Sequence, residues 1–441
     1  MTRRFSRSGR VLPETSLVTT TTSSGPEGGW QRLVGNALTV TVAGGFANAL
    51  NVGVTFGIAR ILSTNGYGAY GQLVGVFFVI ALSGSALGVA VVRRAGYYIV
   101  RGDHVLTMHW QRRLHQRVLA AGVACGIVAL PASIAVANWL GHRSWIAVWM
   151  IALAGLVFAV LSVDRALLQS RQRYGALAQN FVVEGVVRTA CTLVGVTQGV
   201  TGYAIGLLVA ELVTRLHAYR MVRLKVEVDH GVELQHTGIT KELLVAFVTL
   251  AFMAVLQYLD VFVVGHSNSA HAGPYTAIST IAKILVFGAV ILNSFLLPEA
   301  VLASRKGAEA VRQLGLVLGL LGVASVGFVG VSALWSAPMV RLLFTKQYSG
   351  ASSSLLVLVV AMVALSISTI LVTFLLGDGA RWPTLWLVVC VVVGVIWINK
   401  VHGRWHATAV RDLEIQFVVL SGLLVATVSR LRRHARTVVA A

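Results

Sequence analysis

The sequence predicts an all-α polytopic membrane protein with about 12 transmembrane helices in two halves of six. Apolar residues make up 56% of the 441 residues and charged residues 12%, with a mean hydropathy of +0.79. A soluble domain carries roughly a quarter charged residues. Apolar runs of membrane-spanning length follow one another with short polar connections. Lys and Arg concentrate at alternate ends of these runs, which predicts cytoplasmic N- and C-termini and an even number of spans.

The predicted helices lie close together along the chain. In order they cover residues 36–62, 66–92, 118–140, 144–168, 177–197, 202–221, 243–265, 272–302, 314–335, 355–376, 382–398 and 415–428. The longest central interruption predicts the boundary between the halves. The predicted organisation is a disordered basic cytoplasmic tail (1–33), an N-terminal six-helix bundle (34–222), a cytoplasmic linker (223–241), a C-terminal six-helix bundle (242–429) and a basic cytoplasmic tail (430–441).

Composition and motifs exclude several classes of function. The net charge of +20 comes from short basic clusters at the ends of apolar runs, which is typical of positive-inside loops and does not indicate nucleic-acid binding. The three cysteines lie inside apolar runs without metal-ligand spacing. The sequence has no phosphate-binding Gly-x-x-x-x-Gly-Lys loop and no hydrolase or metalloprotease pattern. We therefore expect neither an enzyme nor an ATP-driven pump, and we expect no cofactor or metal.

The halves show a faint internal similarity. The segment NGYGAYGQLV around Tyr70 aligns with AHAGPYTAIS around Tyr275. In both, a helix ends, a turn of small residues follows, and Gly and Tyr open the next helix. Two six-helix halves of parallel topology are a known transporter arrangement with the substrate site between them.

The first predicted hairpin carries the most informative motif. An apolar run ends in Ala-Arg-x-Leu, a short turn follows, and Gly-x-Tyr-Gly opens the next run. These positions are Ala59, Arg60, Leu62, Gly66, Tyr67 and Gly68, with Tyr70 and Gly71 behind them. The pattern resembles the first hairpin of the polysaccharide transporters, the O-antigen-type flippases of the multidrug/oligosaccharidyl-lipid/polysaccharide (MOP) flippase superfamily.

Other segments resemble the same family in the same order. They are the loop LLQSRQRYGALAQN, the Glu-x-x-x-Arg pattern in FVVEGVVRTA, an Asp on the seventh helix followed by a Gly-x-Tyr start, and the helix-ending Pro298 as a hinge. The resemblance implies a V-shaped pair of six-helix bundles around a central cavity. It also implies alternating-access movement of a polyprenyl-pyrophosphate-linked oligosaccharide from the inner to the outer leaflet, with coupling to a cation gradient.

Ionisable residues inside predicted helices are candidate site residues, because an unpaired charge in hydrocarbon costs several kcal/mol. Glu184 and Arg188 are spaced i, i+4 and are expected to pair, either as a packing lock or, through Glu184, in ion coupling. Asp260 is the first ion-coupling candidate. Lys283 is expected to pair with Asp260 or to attract phosphate in the cavity.

The remaining candidates for the substrate cavity are polar groups near helix ends or on the first helix. Arg60 is either an interfacial anchor or a cavity residue. Asn48 and Asn51 add hydrogen-bonding capacity to the same wall or join helices. Arg94 ends the second helix on the cytoplasmic side, where it either fixes orientation or receives an anionic headgroup.

Alternative functions remain open at this point. One is a drug or cation antiporter of the same superfamily, which requires an acidic cavity. Another is a non-transporting membrane scaffold for glycan assembly. The expected partners are a lipid-linked anionic glycan, membrane lipids and a glycan polymerase or glycosyltransferase, with no nucleic acid; the expected location is the cell (inner) membrane.

Overall fold

The computed structural model describes residues 26–100, 104–141, 144–222, 239–290, 307–377 and 380–440. These residues are 94% helical and contain no strand. The N-terminal half holds α1 (Pro26–Ile61), α2 (Thr64–Val100), α3 (His104–Leu140), α4 (Trp145–Ser170), α5 (Tyr174–Val196) and α6 (Gly199–Val222). The C-terminal half holds α7 (Ile239–Ser267), α8 (Ser269–Ala282), α9 (Ile284–Val290), α10 (Gly307–Leu343), a 3-10 helix (Lys346–Ser354), α11 (Leu355–Gly377), α12 (Trp382–Asn399) and α13 (Trp405–Ala440).

The helices of the described residues account for the predicted transmembrane segments. Ten are long and apolar enough to cross a membrane, and the pair α8 and α9, bent by 41°, is an eleventh. The 23-residue α5 is long enough to cross a membrane but is less apolar than these helices and carries Glu184 and Arg188. The predicted all-α polytopic fold is confirmed.

Several helices differ in extent from the prediction. α1 begins at Pro26, α3 at His104 and α13 at Trp405, each earlier than hydropathy indicates, and α13 continues to Ala440. Hydropathy marks only the part of a helix that lies in lipid, whereas the helix itself continues into water until a residue stops it. The described part of the predicted eighth helix, 272–302, is divided at Lys283 into α8 and α9, and residues 291–302 lie outside the described residues.

The two halves share one packing pattern. In the N-terminal half α2 packs on α4, α4 on α6, α5 on α6, and α1 on α5. In the C-terminal half α8 packs on α11, α11 on α13, α12 on α13, and α7 on α12. Each of these four contacts therefore has its counterpart in the other half, as expected for two six-helix pseudo-repeats.

The halves meet where α2 packs on α7 and α8. Gly273 lies against Thr64, and a Cβ at Gly273 would collide with the Thr64 carbonyl oxygen. Gly71 lies against Thr276, whose side chain fills the space that a Cβ of Gly71 would need. Gly71 and Thr276 are equivalent positions in the alignment of Tyr70 with Tyr275, so equivalent segments of the two halves face each other across the interface.

An aromatic cluster joins the halves at the end of the bundle where α1 ends and α2 begins, which we call the outer end. Its members are Phe56, Tyr67, Tyr70, Tyr203, Phe344 and Tyr348, with ring centroids 4.8 to 5.7 Å apart. The Tyr348 hydroxyl donates to the Ala59 carbonyl oxygen at 3.0 Å. The halves therefore close at the outer end. Toward the other, inner end, Val42 and Phe46 of α1 are exposed.

Candidate functional site

A buried ion pair lies in the C-terminal half, between α7 and the break that separates α8 from α9. Lys283 Nζ is 3.4 Å from Asp260 Oδ1, and the side chains are 3% and 0% exposed. Lys283 Nζ also donates to Ser279 Oγ at 2.6 Å, and Ser279 donates to Asp260 Oδ2 at 3.2 Å. The Tyr258 ring lies 4.2 Å from Lys283 Nζ. The ammonium group is therefore surrounded by a carboxylate, a hydroxyl and an aromatic face, which together replace its hydration.

Local sequence explains the position of Lys283. It caps the C-terminus of α8, its backbone N–H bonds the carbonyl of Ser279, and α9 begins at the next residue. Ser279 precedes Lys283 by four residues, so both side chains lie on one helix face. The bend consequently sits beside the ion pair.

A second carboxylate, Asp412 on α13, faces this pair closely enough for its charge to act on Lys283. Gln416 Nε2 donates to Asp412 Oδ1 at 3.1 Å and to the Leu256 carbonyl oxygen at 3.3 Å. Both side chains are fully buried. Sequence reasoning missed Asp412 because it placed the twelfth helix at 415–428; a window extended toward Trp405 would have included it.

The N-terminal half contains a separate buried network on α4, α5 and α6. Arg165 Nη2 donates to Glu184 Oε2 at 2.6 Å, and Arg165 Nε donates to Asn180 Oδ1 at 2.7 Å. Arg188 donates to both Glu184 and Glu211. Two arginines thus meet two glutamates, which balances the charge in a region from which water is excluded.

Aromatic rings complete the surroundings of this network. The Arg165 guanidinium lies 4.4 Å from the Phe181 ring centroid, and that of Arg188 lies 5.6 Å from Phe77. Guanidinium groups stack on aromatic faces readily because they are weakly hydrated. The arrangement joins three helices of the N-terminal half, and Glu184 and Arg188 contact each other as their spacing indicates.

The network includes residues that sequence reasoning did not single out. Arg165 and Glu211 lie inside the predicted helices 144–168 and 202–221. The rule that ionisable groups in hydrocarbon need partners applies to them as it does to Glu184. The rule identifies candidates, but only the packing of α4 and α6 on their neighbours shows which charges meet.

The other predicted cavity residues occupy different places. Arg60 is exposed at the outer end of α1. Asn48 and Asn51 are half-buried on α1; the Thr55 hydroxyl bonds the Asn51 carbonyl and lies 3.2 Å from the Tyr70 hydroxyl on α2. Arg94 belongs to α2, but its side chain lies outside those described. Pro298 lies outside the described residues.

The fold and the buried charges define a polytopic helical protein with ion pairs inside its membrane-spanning helices. No protein-family model and no curated protein matches the chain. Solved structures of MOP superfamily transporters share the fold. An inward-facing multidrug resistance MATE family transporter of this superfamily has a TM-score of 0.68 and 15% identity, covering 88% of this chain and 96% of that chain. The outward-facing conformation of a MATE family transporter also gives 0.68 and 15%, covering 91% and 96%.

A third similar structure is a MOP superfamily transporter from Pyrococcus furiosus, described as having a binding pocket of reverse polarity. Its TM-score is 0.68 and its identity 16%, with coverage of 92% of this chain and 96% of that chain. At these identities the likeness establishes the fold. The predicted fold is therefore confirmed, whereas membership of the superfamily and of its polysaccharide branch stays a prediction.

Proposed function

We propose that this protein is an alternating-access transporter that moves a polyprenyl-pyrophosphate-linked oligosaccharide from the cytoplasmic to the outer leaflet. The observation that carries the proposal is the closure of the two halves at the outer end through the aromatic cluster. With cytoplasmic termini in the cell membrane, as the basic clusters predict, an alternating-access transporter that is closed at this end would be open to the cytoplasm. A substrate assembled on the cytoplasmic side would enter it.

Helices of the two halves pack closely on one side of the interface and hardly at all on the other. This arrangement suits a substrate with a lipid tail. α2 packs extensively on α7, whereas the equivalent pair, α1 and α8, makes at most marginal contact among the described residues. A separation at this position allows a lipid chain to stay in the bilayer while its headgroup enters between the halves. A soluble solute would need no such opening.

The charged residues have roles that fit this substrate. Asp260 is the proposed site of proton or sodium binding, since release of Lys283 would leave a buried carboxylate ready for a cation. Lys283 and Arg60 would attract the diphosphate, and Arg94 would receive it at the cytoplasmic end. Asn48 and Asn51 would bond the glycan, with glycan polymerase and glycosyltransferase as partners.

A drug or cation antiporter is the second candidate, and the likeness to multidrug resistance transporters favours it. Such a protein needs free carboxylates that can hold a cationic drug. Here Glu184, Glu211 and Asp260 each contact an Arg or Lys, whereas the buried Asp412 accepts from Gln416 and makes no ion pair among the described residues. This pairing favours an anionic substrate over a cationic one. A non-transporting scaffold would not need these charges.

The test measures the leaflet distribution of lipid-linked glycan after depletion of the protein from its native cell. Depletion is expected to trap intermediates on the cytoplasmic leaflet. A wild-type copy should release them, and a variant with Arg60, Asp260 and Lys283 neutralised together should not. Arg411→Gln, which removes an exposed ion pair with Glu414, is the matched control and should behave as wild type.

The outcomes separate the candidates. Unchanged leaflet distribution with increased accumulation of a cationic dye would establish the antiporter and end the flippase proposal. Full rescue by the triple variant would favour the scaffold. Rescue by the wild type and by Arg411→Gln alone would support the flippase.

A further inference from the structure

The last helix carries a buried carboxylate without a basic partner. Asp412 lies on α13 and is 0% exposed. The other buried carboxylates of the described residues each contact an Arg, a Lys or a His; they are Asp164, Glu184, Glu211 and Asp260. Asp412 makes no ion pair with a described residue, although it is as completely buried as Asp260. Because an unpaired carboxylate ion is costly in hydrocarbon, the charge of Asp412 must be neutralised in another way.

The hydrogen bonds of Asp412 are incomplete in a way that a proton would correct. Gln416 Nε2 donates to Asp412 Oδ1 at 3.1 Å. The other oxygen of each group, Asp412 Oδ2 and Gln416 Oε1, is buried and makes no hydrogen bond among the described residues. While Asp412 is ionised, both of these oxygens can only accept. A proton on Oδ2 can be donated to Oε1, so that acid and amide form a pair with two hydrogen bonds.

The packing of α13 on α7 fixes the position of Asp412. Trp405 at the start of α13 donates to a carbonyl at the start of α8, next to the end of α7, so α7 and α13 are antiparallel. Gln416 Nε2 also donates to the Leu256 carbonyl on α7 at 3.3 Å. From this contact Asp412 and Asp260 each lie four residues toward the outer end, or about 6 Å at 1.5 Å per residue. The two carboxylates therefore lie at the same depth on facing helices.

The charged groups around this site balance when one proton is bound. Lys283 contacts Asp260 and is close enough to Asp412 to feel its charge. The hydroxyl of Tyr275 on α8 lies near both carboxylates and carries no charge at neutral pH. Arg411 precedes Asp412 in sequence but pairs with a carboxylate at the surface. α11 and α12, which also pack on α13, contain no charged residue. Two carboxylates thus face one ammonium, and a single proton makes the group neutral.

We propose that Asp412 is protonated in this state of the protein and that the proton is the ion that couples transport. The role in transport rests on the proposed function, which assigns cation binding to Asp260 after Lys283 leaves it. Asp412 supplies that cation. The O–H bond on Asp412 breaks and an O–H bond on Asp260 forms, so Asp412 becomes the carboxylate that pairs with Lys283. The ammonium and the proton exchange partners, and the group stays neutral throughout.

The test is difference infrared spectroscopy of the purified full chain in lipid at neutral pH. This method distinguishes the C=O stretch of a protonated carboxyl group from the bands of an ionised one. Asp412→Asn is compared with the wild type, and Glu414→Gln is the matched control, because Glu414 lies on the same helix but is exposed and paired with Arg411. We expect Asp412→Asn to lose the signal of one carboxylic acid and Glu414→Gln to lose none.

Two further variants separate protonation from a role in packing. Gln416→Met removes the acceptor Oε1 and keeps the carboxyl group, so the acid band should shift to higher frequency. Lys283→Met should add the signal of a second carboxylic acid, because Asp260 then loses its partner. If Asp412→Asn is not monodisperse, Asp412→Glu and Gln416→Met decide the question, since both keep the acid and should shift its band.

An unchanged acid band in Asp412→Asn, or in both Asp412→Glu and Gln416→Met, would overturn the inference. So would loss of the wild-type band when sodium replaces potassium, because the site would then bind sodium. In the leaflet assay Asp412→Asn should fail to release the trapped glycan, whereas Glu414→Gln should release it; release by Asp412→Asn would exclude its role in coupling.

The infrared result and the proposed function can fail separately. If Asp412→Asn loses the acid band while depletion leaves the glycan distribution unchanged, the protonation of Asp412 stands and the proposed function fails. If depletion traps glycan and the band is unchanged in Asp412→Asn, the proposed function stands and this inference fails.

Discussion

The ion pair between Asp260 and Lys283 allows a quantitative prediction. Asp260→Asn leaves the ammonium of Lys283 buried with the Ser279 hydroxyl, the Tyr258 ring and the more distant Asp412. Loss of one member of a buried pair typically costs about 3–5 kcal/mol. A cation–π contact of about 1–2 kcal/mol persists in the variant. We therefore expect Asp260→Asn to lower the free energy of unfolding by about 3 kcal/mol, near the lower end of that range.

The double replacement should behave differently. In Asp260→Asn combined with Lys283→Met, neither charge remains buried, so the desolvation cost disappears with the attraction. The free energy of unfolding should return to within about 1 kcal/mol of the wild type. The coupling energy of the cycle is then about 2 kcal/mol or more, well above the 0–1 kcal/mol of an exposed pair.

The assay is reversible unfolding in mixed micelles, with the free energy of unfolding measured for the wild type, both single variants and the double variant. Arg411→Gln is the control, because its pair with Glu414 is 35% and 46% exposed and should contribute at most about 1 kcal/mol. Transport should stay lost in the double variant, since Asp260 is the proposed coupling site. A single Asp260→Asn variant as stable as the wild type would refute the reasoning.

Three further predictions concern the interface, the N-terminal network and the outer closure. Gly273→Ala should lower the melting temperature clearly more than Gly53→Ala, because only the first Cβ meets backbone of the other half; equal shifts would contradict the packing. Arg188→Met should lower the free energy of unfolding, measured by chemical denaturation, by about 3–5 kcal/mol, because the substitution leaves two buried carboxylates without this partner. Glu211→Gln should lower it by only about 1–3 kcal/mol. The reverse order would refute the network. Tyr348→Phe removes the hydrogen bond to the Ala59 carbonyl oxygen, so the state closed at the outer end should lose about 1 kcal/mol of stability relative to the outward-open state. The outward-open population should then rise about fivefold, measured by cysteine accessibility from the outer side. Unchanged accessibility would exclude a role of Tyr348 in closure.

The fold follows from the sequence to a large extent because the lipid environment simplifies the problem. Backbone N–H and C=O groups in hydrocarbon must form their hydrogen bonds within a helix, so a run of about 20 apolar residues directly predicts a membrane-spanning helix. The helix ends do not follow from the same rule. α13 begins at Trp405, ten residues before the predicted Ile415, because its first turns are polar yet still helical.

The break at Lys283 was not predicted for a related reason. No proline or glycine lies in the turn of helix before it, so the sequence carries no signal for a break there.

The site was predictable residue by residue but not as a set of contacts. The free-energy cost of placing a charge inside the membrane identifies Glu184 and Asp260 as residues that need partners. It does not reveal that Arg165 reaches Glu184 from α4 or that Asp412 faces Lys283 from α13, since these pairs are set by helix packing far apart in sequence.

The contact between Gly71 and Thr276 has a consequence for the origin of the molecule. These are equivalent positions of the two repeats, and they touch each other across the interface. In an assembly of two identical halves the same residue would stand on both sides. Two threonines would overlap, and two glycines would leave a void. One side can keep the larger residue and the other the smaller only when the two halves differ in sequence, so halves of common origin had to diverge here before this contact could form.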